Sequence, residues 1–128
     1  MIDYIVEGQR PFVSRSRPFD EAGLRNLAGR VFDRTVNLAS TLANHFEADG
    51  GERWRERLGS IHVPTLVIHG TDDPLFPYGN AMALAQEISD ASVLAMERVG
   101  HELPREAWDV VTSANRAPHS GRPHLGRA

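Results

Sequence analysis

Two short stretches carry the residues best suited to chemistry. HGTDDPLFP spans residues 69–77 and RVGHELP spans residues 98–104. The first sets Asp72 and Asp73 side by side before a proline, just after the apolar run PTLVI. The second places His101 directly after a glycine. A carboxylate beside an imidazole is the orienting pair of nucleophilic catalysis: the acid holds the ring in one tautomer, and the ring moves a proton. Asp73 is the candidate acid and His101 the candidate base. Asp72 reads as a solvated neighbour or a loop cap. The plain alternative for Asp73 is a turn residue, since Asp before Pro is ordinary turn chemistry.

Such a pair works only if the chain brings its two members together. Val63 to His69 is a short, continuous apolar run led by Pro64, the mark of a strand covered on both faces. Pro77 to Ser89 follows, with Ala81, Leu84, Ala85 and Ile88 at helical spacing. Ser92 to Glu97 is a second apolar strand, Gly100-His101 a loop, and Pro104 to about Ser113 a last helix. Strand, helix, strand, helix predicts an α/β fold with parallel strands and a right-handed crossover. Ligands gather at the carboxyl ends of such strands, so the Asp73 and His101 loops should share one edge of the sheet.

Upstream, residues 1–19 read as a short helix and an arginine-rich loop. Asp20 is a good helix N-cap, with Glu21 in the first turn. Leu24, Leu27, Ala28, Val31, Thr35, Leu38, Leu42 and Phe46 keep the spacing of one or two amphipathic helices, which end before Asp49-Gly50-Gly51. ERWRERL is a short helical turn. The last 15 residues, ANRAPHSGRPHLGRA (114–128), have no periodicity and should be disordered. A frameshift in a GC-rich gene would leave such a tail.

PTLVIHGTDDPLFP followed by RVGHELP resembles the C-terminal part of an α/β-hydrolase. The resemblance implies that Asp73 is the triad acid, three residues after Gly70, and that His101, after Gly100, is the triad histidine. It covers about residues 58–111 with specific motifs. Residues 1–57 resemble, more weakly, the helical cap of the family, giving segments 1–57 (cap), 58–113 (core) and 114–128 (tail). Together they are similar to esterase and epoxide-hydrolase-like members, including the methylesterases of polyketide tailoring. The resemblance implies hydrolysis of a small-molecule ester with no cofactor. The family's nucleophile sits in a Gly-x-Ser-x-Gly elbow. None of the eight serines here lies in a glycine-flanked turn after an apolar strand, and an HGG-type oxyanion segment is missing. The expectation is therefore an incomplete sheet, acid and base without a nucleophile, and no significant hydrolase activity in this chain alone. A non-catalytic fragment, pseudoenzyme or binding module that keeps the cap surface is the alternative. An apolar strand with an open edge also predicts aggregation or pairing with another copy.

The remaining residues narrow the classes. Net charge is −3, but residues 1–109 carry −6 and residues 110–128 carry +3. A body of that sign does not draw nucleic acid through its general field. No apolar run approaches the ~20 residues of a membrane span. The start lacks the pattern of a signal peptide, and there is no cysteine, so a cytoplasmic setting is the default. His62, His119 and His124 lack metal-ligand spacing, so no metal site is expected. His45 should pack on an apolar helix face, and His69 should bond to loop backbone. Trp54 and Trp108 should pack in the core or at its edge, and Arg15 and Arg17 should be solvated loop charges. The Leu24–Phe46 stripe could line an acyl pocket or simply pack helices.

Overall fold

A computed structural model describes residues 1–117, apart from the side chains of His45 and Phe46. The expectations for His45, Phe46, His119 and His124, and for the tail from Pro118, lie outside the described residues. The chain divides into two compact units: Met1–Pro11 with Phe19–Arg53, and Phe12–Pro18 with the residues from Trp54 onward. The boundary thus falls before Trp54 rather than after residue 57. The Phe12–Pro18 segment belongs with the strands, although the sequence placed it in the cap.

The first unit is helical. Helices α1 (Ile2–Gln9) and α2 (Glu21–Arg34) pack on each other, and α3 (Leu38–Glu47) follows. Among the described residues, Val6 and Ala28 are its buried side chains. Asp20 caps α2 by accepting from Gly23 N at 2.9 Å, and Asn37 caps α3 by accepting from Ser40 N at 3.1 Å. Each carboxylate or amide oxygen satisfies an amide that has no partner inside its helix. Arg25 joins α2 to α1 through Asp3 at 2.6 Å. Leu27, Val31 and Leu42 of the apolar stripe remain exposed.

The second unit has the expected order. Strand β1 (Thr65–Gly70) leads through α4 (Gly79–Glu87) to β2 (Ala91–Met96), which pairs parallel with β1. The register sets Thr65 opposite Ala91 and Gly70 opposite Met96. Both strands start and end within two residues of the sequence reading. The last helix, α5 (Trp108–Arg116), runs past Ser113, after a 3₁₀ turn at Arg105–Ala107. Three residues assigned to the tail are therefore helical. The described sheet has two strands. Thr65 to His69 are accordingly half-buried, not covered on both faces as the apolar run implied. Hydrophobicity records what a strand tolerates, while burial depends on the neighbours present.

Two small cores hold the sheet. Leu58, Ile88 and Ala91 meet beneath Ile61, Leu84 and Ala85, joining the 3₁₀ turn at Arg55–Ser60 to α4 and the start of β2. Met96, Val99 and Ala107 meet against Ile68 and Val111, joining the end of β2 to α5. The second cluster flanks His101 on both sides in sequence, so packing fixes the loop that carries it. Trp54, expected in the core or at its edge, is 56% exposed. Trp108 sits at the edge and donates to Leu103 O at 3.2 Å. Among the described residues no helix is long and apolar enough to cross a membrane.

Replacing Asp20 by Ala should lower the stability of the helical unit by about 1 kcal/mol. Asp20→Asn should retain most of it. Urea unfolding followed by circular dichroism measures both.

Candidate active site

β1 ends at Gly70, and the chain turns through Thr71-Asp72-Asp73-Pro74. Pro74 has no N–H, so the first donors beyond Asp73 are the amides of Leu75 and Phe76. Both donate to Asp73 Oδ1 at 2.8 Å. The other oxygen, Oδ2, accepts from His101 Nδ1 at 2.8 Å. Turn residue and partner of His101 are thus not competing readings of Asp73: one carboxylate oxygen does each job.

The Asp73 side chain is 5% exposed, whereas that of His101 is 45% exposed. Burial pushes the Asp73 carboxyl up, but the Phe76 amide, His101 and the Leu75 amide together hold it below its ordinary value of 3.8. Asp73 is therefore an acceptor only, and His101 Nδ1 must carry the proton. In the neutral ring that leaves Nε2 with its lone pair free to act as a base. The rings of Phe12 and Phe76 flank the imidazole, with centroids 6.3 and 5.4 Å away.

Backbone contacts hold the two loops together. Thr71 N donates to Met96 O at 3.0 Å, Asp72 N to Val99 O at 2.9 Å, and Arg98 N to Thr71 Oγ1 at 2.9 Å. Arg98 has φ 59°, the left-handed conformation that turns the chain out of β2. A Cβ on Gly70 would stand 2.2 Å from Val99 O, so only glycine lets β1 end this close to the histidine loop.

An open cleft of about 390 Å³ surrounds the pair, lined by Asp73, His101, Phe76, Met96, Glu102 and Leu103 among others. A more apolar cleft of about 560 Å³ lies alongside, lined by Trp54, Leu58, Phe76 and Leu84 among others; Phe76 and His69 border both. His69 donates from Nδ1 to Gly70 O at 2.9 Å and meets Tyr78 edge-on, in line with its expected bond to backbone.

Asp72 turns away from the imidazole and accepts from Ser14 Oγ at 2.7 Å. Ser14 is buried and also receives the Ser16 amide at 3.0 Å. Its hydroxyl is therefore committed to Asp72, and among the described residues no serine hydroxyl bonds to His101. Arg17, expected to be solvated, pairs with Glu106 at 2.7 Å, because its segment is part of the second unit. The sequence reading missed the contributions of Phe12, Ser14 and Phe76. Only the glycines at 70 and 100 hinted that some backbone must pass close by.

The profile of the alpha/beta hydrolase fold matches residues 10–106 of the chain. A search of curated proteins gives no match.

The lowered Asp73 pKa makes a prediction about acid. The carboxylate's contribution to stability should be complete above the unfolded value of 3.8 and lost as the pH falls through the lower folded value. Urea midpoints measured across that acid range should drop more steeply for the native chain than for Asp73→Ala.

Proposed function

The chain belongs to the alpha/beta hydrolase fold family, and from that premise we propose that Asp73 and His101 are the acid and base of a hydrolytic triad acting on small-molecule carboxylic esters. The observation that carries this reading is the 2.8 Å bond from His101 Nδ1 to a buried carboxylate. In the proposed reaction, Nε2 takes the proton of an attacking hydroxyl as that oxygen bonds to the ester carbonyl carbon. The imidazolium then gives the proton to the departing alcohol. Water attacks the acyl intermediate by the same route and releases the acid. Asp73 stabilises the imidazolium at each step. The larger cleft beside Phe76 supports an apolar limb on the ester, and no cofactor enters the scheme.

Residues 1–128 contain no Gly-x-Ser-x-Gly elbow. These residues alone should therefore give little turnover, since loss of a nucleophile costs several orders of magnitude in rate. The same observation supports a second reading, a binding module that keeps the acid–base pair and the clefts without turnover. β1 pairs on one edge only among the described residues, and Leu75 and Phe76 are exposed nearby, which supports self-association as a further proposal.

Release of p-nitrophenol from p-nitrophenyl esters by the 128-residue chain should equal that of His101→Ala. Turnover abolished by His101→Ala would overturn the expectation of inactivity. Amide shifts on titration with the same ester should include Gly100 and His101, which border only the cleft at the pair, if the hydrolase reading holds. Shifts confined to the Trp54–Leu84 cleft would favour the binding module. Gel filtration should give a species larger than the 14.2 kDa monomer; a clean monomer at every concentration would remove self-association.

A further inference from the structure

The Val99–His101 loop is gripped from two sides. On one side, β1 approaches so closely that a Cβ at Gly70 would clash with Val99 O and Gly100 O. On the other, the Phe12–Ser14 backbone approaches so closely that a Cβ at Gly100 would stand 2.4 Å from Phe12 O and 2.5 Å from Ser14 N. At that contact His101 N donates to Phe12 O at 2.7 Å. Ser14 N reaches Glu102 Oε1 at 3.4 Å. The segment adjoining the imidazole is thus a clamp on the backbone that carries it.

A side-chain bond also ties the clamp to the acid loop. Ser14, 3% exposed, donates to Asp72 Oδ2. The same hydroxyl accepts the Ser16 amide, which folds the segment back, and Arg98 donates to Ser16 O. Asp72 therefore faces the clamp while Asp73 faces the imidazole. One dipeptide grips the histidine loop through its backbone carrier and through its ring.

We propose that Asp72 and Ser14 are positioning residues for His101: their hydrogen bond seats Phe12–Ser14 on Gly100-His101 and so sets the imidazole against Asp73. The proposal rests on the reading of Asp73 and His101 as an acid–base pair. It gives the second aspartate a task that an exposed loop cap would not have. A buried serine bonded to a carboxylate also constrains the segment more than a solvent-exposed bond would, because water competes less for its partners.

The test is the tautomer of neutral His101, read by long-range ¹H–¹⁵N NMR on the full 128-residue chain. In the native chain Nδ1–H should dominate. Asp72→Ala and Ser14→Ala should each lower the ratio of Nδ1–H to Nε2–H about tenfold, the scale of one lost hydrogen bond, with circular dichroism unchanged. Asp72→Asn should restore the native ratio, because its amide oxygen still accepts from Ser14. An unchanged ratio in Asp72→Ala overturns the proposal, and so does Asp72→Asn falling as far as Asp72→Ala. Asp72 is only half-buried, so its alanine variant decides the matter should Ser14→Ala fail to fold. Asp73→Ala is the separate control. If it leaves the ratio native, the acid–base reading itself fails; if it abolishes the preference while the Asp72 and Ser14 variants do not, only the clamp fails.

Discussion

The parallel pairing of β1 with β2 is the constraint from which the rest of the site follows. Parallel strands end at the same edge of a sheet, so pairing Gly70 with Met96 places the chain after each strand side by side. Three residues beyond one end stands Asp73, and five beyond the other stands His101. No long loop has to find its way across the molecule. The short connections are then locked by Thr71, Asp72 and Arg98, which bond across the gap before either side chain is considered.

Within that frame the carboxylate of Asp73 is used completely. Its two oxygens accept two backbone amides and one imidazole nitrogen, and its side chain is almost wholly buried. Burial alone would favour the neutral acid, but three donors reverse that preference. An ionised acceptor in a fixed orientation allows one tautomer of His101. The partly exposed ring keeps its second nitrogen available to a reactant. Geometry and protonation are thus set by the same three hydrogen bonds.

Much of this was legible in the residues. The apolar runs, the helical spacing between them, and the placement of Asp73 after Gly70 and His101 after Gly100 follow from periodicity and turn chemistry, which act over a few residues. The strand and helix order came from those signals; the triad roles of Asp73 and His101 came from the resemblance of their two motifs to those of an α/β-hydrolase. The extents were less legible. The last helix runs to Arg116 because the backbone can stay helical through Thr112, Ser113 and Asn115, residues whose weak propensity marks no definite end. β1 is half-buried because its burial depends on neighbours that a hydrophobic pattern does not count.

Sequence by itself determined which side chains could form an acid–base pair and which elements would carry them. Both are properties of residue type and near-neighbour spacing. Tertiary structure alone decided what Asp72 holds. Asp72 and Asp73 are identical residues in one turn; the motifs pair Asp73 with His101, but nothing near Asp72 in the sequence names its partner. Asp73 meets His101 because β2 ends beside β1, and Asp72 meets Ser14 because a segment 58 residues earlier lies against Gly100. The second contact depends on how distant parts of the chain pack, and packing is not written in the spacing around Asp72.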